Sequence, residues 1–205
     1  MAAVYDDIAE HFSSTRYKPW RGVRAFLGDT AAVPAGSTIL EIGCGNGKNL
    51  GERAVGPSPC IVHGCDPCAA LVEIAKAKNP AAELVVADGR ALPYSDSSMN
   101  VVMAIAVLHH LETHADRRQF IAEAARVWNG KGSGLVTVWA PSAVKPSWRP
   151  GPAPGDYLVP WHHTSGQVYE RYYHVFERDE VADLFEGLIP VKEITFEMDN
   201  WYVYF

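Results

Sequence analysis

The chain has 205 residues, 18 Lys plus Arg against 24 Asp plus Glu, and a formal net charge of −6. Such a length suits one domain that buries roughly 70% of its unfolded surface, and 48% apolar with 20% charged residues marks a globule rather than a disordered tail. The acidity argues against a free-standing nucleic-acid binder, which needs a basic face, and the longest strongly apolar run, Val101 to Leu108, is far short of a membrane span.

Asp6, Asp7 and Glu10 stand where a secretory leader would carry basic and then apolar residues. The chain is therefore expected inside the cell, in the cytoplasm or also the nucleus, and away from membranes. Residues 4–28 read as two short amphipathic helices, with Val4, Ile8 and Phe12 and then Val23, Phe26 and Leu27 at helical spacing. From Thr38 the texture becomes strand, glycine turn, helix, strand. Strands are predicted over 38–43, 61–66, 84–87, 101–106 and 134–139, with helices over about 46–54, 67–78 and 115–128. Continuous apolar strands alternating with helices mark a parallel sheet covered on both faces.

Between Pro141 and Pro160 the chain places six of its 14 prolines, a density that fits neither a helix nor a central strand. Trp148, Tyr157 and Trp161 lie inside this stretch, and disordered segments are poor in aromatics. It reads as a partly ordered lid. A helix over about 178–187 follows, then strands over 191–198 and 201–205 split by Asp199-Asn200, an antiparallel hairpin finishing the sheet. One domain over 1–205 is expected: helices over 1–37, a core over 38–140, a lid over 141–174, and a closing helix and hairpin over 175–205.

Cys44, Cys60, Cys65 and Cys68 sit close together, but Cys65-Asp-Pro-Cys68 is a lone C-x-x-C with only His63 nearby. A zinc site needs a second pair, so no metal is expected. Glu41-Ile-Gly43-Cys44-Gly45-Asn46-Gly47 follows a strand and opens a helix, where glycines admit a ligand close to the backbone and the helix start offers free N–H groups. Asp66, before Pro67, ends the second strand, where a carboxylate accepts from a ribose diol. Asp88-Gly89 ends the third, a place for a carboxylate to take an adenine amino group. The dinucleotide fingerprint G-x-G-x-x-G is absent, and Glu41 suits a positively charged sulfonium-amine ligand better than a pyrophosphate. Together these features resemble the class I methyltransferases, whose cofactor is S-adenosylmethionine. That resemblance implies a Rossmann-like, mostly parallel seven-stranded α/β sheet with helices on both faces and the antiparallel C-terminal hairpin. It also puts Glu41, Gly43, Cys44, Gly45, Asn46, Gly47, Asp66, Pro67, Asp88, Gly89 and Ala106 around the cofactor.

Strand four leads into His109-His110, and neither the tetrapeptide of exocyclic-nitrogen methylases nor the Pro-Cys nucleophile of cytosine-C5 enzymes is present. Adjacent residues point differently, so at most one histidine is expected to face the ligand, as a base or as a structural group. A carboxylate acceptor needs no base at all, being ionised at neutral pH. The segment Val4 to Trp20, with Arg16-Tyr17-Lys18-Pro19-Trp20, is similar to the N-terminal signature of the eukaryotic tRNA wobble-uridine methyltransferases, which esterify 5-carboxymethyluridine at position 34. Tyr157-Leu-Val-Pro-Trp161, Arg171-Tyr-Tyr-His174 and Asn200-Trp201 also match, while 141–154 does not, and Asn49 stands where an aromatic is expected. The resemblance implies a tRNA anticodon-loop substrate and a small zinc-binding activator protein. The unprotected apolar edge strand 83–87 is the place predicted for that activator. Arg16, Lys18, Arg21 and Arg24 form a basic island in the acidic chain, and Arg16, Lys18, Trp20, His110, Trp161, Arg171 and Tyr173 are the candidate acceptor-side residues. The competing readings are a class I enzyme acting on a small molecule and a non-catalytic cofactor-binding subunit.

Overall fold

The computed structural model describes residues 2–54 and 59–205. A seven-stranded sheet has the order β3-β2-β1-β4-β5-β10-β9. Its strands are β1 (Thr38–Ile42), β2 (Ile61–Asp66), β3 (Glu83–Val86), β4 (Met99–Ile105), β5 (Trp128–Trp139), β9 (Glu193–Glu197) and β10 (Asn200–Tyr204). Pairing is parallel from β3 to β5 and antiparallel where β10 joins β5 and β9 joins β10. The chain runs outward one way from β1 to β3 and the other way from β4 onward. The crevice at the carboxyl ends of β1 and β4 is thus a topological switch point, where ligands bind in such sheets.

Alternate residues of one strand enter opposite cores. Leu40 and Ile42 join Val102, Val136, Phe120 and Phe176 beneath α5 (His114–Val127) and α6 (Arg178–Phe185). Ile39 joins Val62, Val101, Leu135 and Tyr202 beneath α2 (Arg21–Gly28), and Val72 of α4 (Ala69–Lys78) closes the same cluster. Two buried faces are why these strands read as unbroken apolar runs. Helix α1 (Ala2–Ser14) packs on α4, placing Tyr5 and Ile8 against Leu71 and Cys68.

Four features differ from the sequence expectation. The helix expected over 46–54 is reduced to α3 (Gly51–Ala54), because Gly43, Gly45 and Gly47 all take positive φ and keep the chain in a turn. Strand β5 starts at Trp128 rather than Gly134, with a register shift between Met99 and Val101 of its partner. Gly132 permits this: a Cβ there would stand 1.7 Å from the Asn100 carbonyl oxygen. The closing hairpin turns at Met198-Asp199, both with positive φ, not at Asp199-Asn200. Asn200 is instead a buried residue of β10. Finally, the proline-rich region contains strands. Here β6 (Arg149–Pro150), β7 (Asp156–His162) and β8 (Val168–His174) form a separate antiparallel sheet with β7 in the middle. Pro160 is tolerated because the β6 pairing stops at Leu158, so one flank of β7 needs no donor at that position.

Candidate active site

A cavity of about 940 Å³ opens at the switch point. Glu41, near the end of β1, is buried; its Oε1 accepts from Asn49 Nδ2 at 2.6 Å, while its Oε2 is buried without a partner. Burial pushes this carboxyl up to about 7, against the opposing pull of Asn49 and Lys48. After it, Gly43 is jammed against the Val107 side chain, where a Cβ would stand at 2.5 Å, whereas Gly45 has open space around it. Both line the cavity with Cys44 and Asn46. Gly47 does not; a Cβ there would collide with Asn79 and Ala75, so this glycine lets the loop close against α4. The Asn46 amide donates to Ser13 and Arg16 backbone oxygens and to Ser13 Oγ. It therefore ties the basic N-terminal segment over the loop.

Asp66 Oδ2 accepts from Gly45 N–H and its Oδ1 from Cys68 N–H, both at 2.9 Å. Burial raises its carboxyl above the usual value. The group braces the loop and, lining the cavity with Pro67, keeps further lone pairs for a hydroxylated ligand. The Cys68 thiol donates to Asp6 Oδ1 at 3.0 Å and pins α1. Asp88 is clasped by Arg90 through Nε and Nη2, and Arg90 reaches Asp116 at 2.6 Å. The Arg90 hydrogen bonds hold the Asp88 carboxyl below its ordinary range. Gly89 admits the ring of Phe120, which would be 2.3 Å from a Cβ. Ala106 follows β4 with φ of 61°, a left-handed alanine that turns the chain toward the histidines.

On the acceptor side both His109 and His110 line the cavity, contrary to the expectation that only one would. Leu108–His110 form a 3-10 turn rather than strand, so consecutive side chains diverge by about 120° instead of 180°. The His109 ring stacks on Tyr173 at 4.8 Å and 14°, and the two imidazoles are 4.3 Å apart. Burial, reinforced by Arg171, lowers His110 to about 3, and burial with the neighbouring His110 takes His109 well below its ordinary value. Both rings are neutral at physiological pH. Arg16, Lys18, Trp20 and Tyr173 line the cavity directly. Trp161 and Arg171 stand behind that wall: the Arg171 guanidinium, 5% exposed, lies 4.8 Å over Trp161 and 5.0 Å over Tyr173.

Comparison with known proteins agrees with this geometry. Residues 40–136 match the sequence profile of the family described as methyltransferase domain. The tRNA (carboxymethyluridine(34)-5-O)-methyltransferase of Schizosaccharomyces pombe is 34% identical, over 98% of this chain and 92% of its own length. This chain belongs to that family. The Arabidopsis thaliana tRNA (carboxymethyluridine(34)-5-O)-methyltransferase is 47% identical over 67% of the chain, but the match spans only 32% of that relative. A solved structure described as the complex between the Haloferax volcanii Trm112 methyltransferase activator and a methyltransferase superposes with a TM-score of 0.73 at 16% identity, covering 98% of this chain and 94% of its own.

Three further residues complete the site of this methyltransferase. Asn49 fills the place expected for an aromatic and holds the Glu41 carboxylate. Arg90 bridges Asp88 to Asp116. Tyr5 reaches His110, Tyr173 and Arg171 from α1. Only Arg90, two residues from Asp88, carried a local signal; the other two contacts arise from tertiary packing.

Proposed function

We propose that this methyltransferase uses S-adenosylmethionine to esterify the carboxylate of 5-carboxymethyluridine at tRNA position 34. The observation that carries the reading is an acceptor wall whose two histidines, His109 buried and His110 half-buried, are neutral and weakly basic, beside Arg16 and Lys18. An acceptor there must be able to react without losing a proton, and a carboxylate meets that demand.

The cofactor's fit rests on the orphaned Glu41 Oε2, an acceptor matched to an ammonium, on Asp66 for ribose hydroxyls and on the open backbone at Gly45. Gly43, Cys44 and Asn46 would continue that loop wall, with Pro67, Asp88, Gly89 and Ala106 around the nucleoside end. When bound, S-adenosylmethionine supplies an electrophilic methyl group on a sulfonium. The protein's share is alignment and charge: Arg16 and Lys18 draw the anionic acceptor in, and Trp20 and Tyr173 offer faces to an extruded base. The region over 141–174, with Trp161 and Arg171 behind the wall, acts as the acceptor-side lid of one methyltransferase domain.

A small zinc-binding activator at β3 belongs to this reading. The strand is the sheet edge, Val85 and Val86 are exposed on it, and a fold neighbour is a methyltransferase in complex with a methyltransferase activator. Free thiols at all four cysteines suit the cytoplasm. The test is methyl transfer to anticodon stem-loops carrying uridine or 5-carboxymethyluridine at position 34, read by nucleoside mass spectrometry. A methyl ester formed on the acid alone is expected; equal labelling of both loops, or of neither, refutes the assignment.

A further inference from the structure

One hydroxyl on the N-terminal helix joins the acceptor wall together. Tyr5 Oη lies 3.2 Å from His110 Nε2, 3.4 Å from Tyr173 Oη and 3.5 Å from an Arg171 Nη1. The chemistry of the partners fixes the direction of these contacts. A guanidinium only donates, so Tyr5 accepts from Arg171. The Tyr172 carbonyl, 3.5 Å from His110 Nδ1, only accepts, so Nδ1 carries the proton of the neutral imidazole and Nε2 is left as acceptor. The single Tyr5 proton therefore points to His110 Nε2, and Tyr173 donates to Tyr5.

Arg171 makes this arrangement consequential. Its guanidinium is buried, has no carboxylate partner among the described residues, and its Nε is buried without any hydrogen bond. A buried cation without a counter-ion is a costly thing to keep in a fold. Tyr5, His110 and Tyr173 line the cavity and Arg171 does not, so the Tyr5 hydroxyl is the group that carries the influence of this charge to the ligand.

We propose that Tyr5 is the specificity-determining residue that selects a charged acceptor: its proton turns from His110 Nε2 to the incoming carboxylate, with the Arg171 guanidinium behind it. This rests on the carboxylate reading above and goes beyond it by naming the group that recognises the charge. The exchange is favoured because a hydrogen bond to an ionised acceptor is about twice as strong as one to a neutral ring nitrogen. The methyl ester carries no charge, so after transfer the proton returns to the imidazole and the hold on product weakens. Throughout, the proton stays on Tyr5.

The test is Tyr5→Phe, which keeps the ring, its edge contact with Phe12 and its place against α4. With the acid-bearing stem-loop, kcat/KM is expected to fall roughly ten- to hundred-fold, the factor carried by one hydrogen bond to a charged group. The cofactor Kd by calorimetry stays within about two-fold. Competition binding of stem-loops bearing the acid or its neutral amide shows the wild-type preference for the acid shrinking toward equality in the variant. Arg171→Gln alone lowers kcat/KM comparably, and adding Tyr5→Phe to it lowers kcat/KM no further, because the two act as one unit. A variant that keeps kcat/KM within about two-fold, or loses it while preserving the acid preference, overturns the proposal. If wild type methylates the acid and Tyr5→Phe is unaffected, only the Tyr5 role falls; if wild type leaves the acid untouched, the carboxylate reading falls and takes this role with it.

Discussion

At the scale of single residues, Glu41 sits in an environment that opposes its ordinary ionisation. It is a carboxyl buried at the bottom of the cofactor cavity with one oxygen unpartnered, and burial moves it up to about 7. A cationic ligand needs the ionised form. Binding of S-adenosylmethionine, measured by calorimetry, should therefore weaken about ten-fold between pH 8 and pH 6, and Glu41→Gln should bind weakly with that pH dependence flattened. The same shift acts on stability with a definite sign. The folded carboxyl holds its proton above the unfolded value, so its stabilisation is full below about 4.5 and is lost as pH rises through about 7, a change of roughly 3 kcal/mol. His110, lowered to about 3, acts in the opposite sense and loses stability as pH falls below its unfolded value near 6.5. Denaturant melts of wild type against Glu41→Gln isolate the first slope; equal pH profiles of the two would contradict it.

At the scale of elements, the second sheet is anchored by a buried polar network rather than by apolar packing alone. His174 of β8 contacts Asp156 of β7 at 2.6 Å and Glu180 of α6 at 2.8 Å. Tyr172 and Arg117 bond each other at 2.9 Å, and Arg117 of α5 sits near both carboxylates. This clasp fixes the strand carrying Arg171 and Tyr173 against the core. Arg117→Met removes the guanidinium beside the buried Asp156 and the part-exposed Glu180 and should cost about 3 kcal/mol, read as a Tm lower by roughly 6–12 °C. Cofactor affinity should hold while methyl transfer falls; an unchanged Tm would show the clasp to be idle. The other exposed element is β3. Val85 pairs with Cys65 of β2 on one side, and its other side is the sheet edge. Val85→Pro should abolish activator binding in a pull-down, and intact capture would move the docking site elsewhere.

At the scale of the whole molecule, an acidic chain must still hold a polyanion. Arg16 and Lys18 line the cavity mouth, held there by Asn46 through Ser13 and Arg16. Phosphate contacts release counterions, so the KM for tRNA should rise steeply with salt while the cofactor Kd, set inside the cavity, hardly moves. Arg16→Ala and Lys18→Ala should each reduce the salt slope by about one unit or less. Parallel salt responses of tRNA and cofactor would show that the basic segment does not touch the nucleic acid.

The sequence by itself determined the parallel sheet and its order of elements, because apolar runs broken by Gly43, Gly45 and Gly47 and ended by Asp66 and Asp88 are local patterns with local causes. It also carried the family, since Arg16 to Trp20 and Arg171 to His174 are contiguous motifs. Only the tertiary structure decided what those residues touch. Asn49 and Glu41 are eight residues apart and meet because the loop folds back. Tyr5 and Arg171 are 166 residues apart and meet because α1 crosses the mouth of the sheet. The second sheet was hidden because prolines mask strands wherever pairing is one-sided. Sequence periodicity records which face of an element is buried. It cannot record which distant side chain arrives there, because that depends on the packing of whole elements.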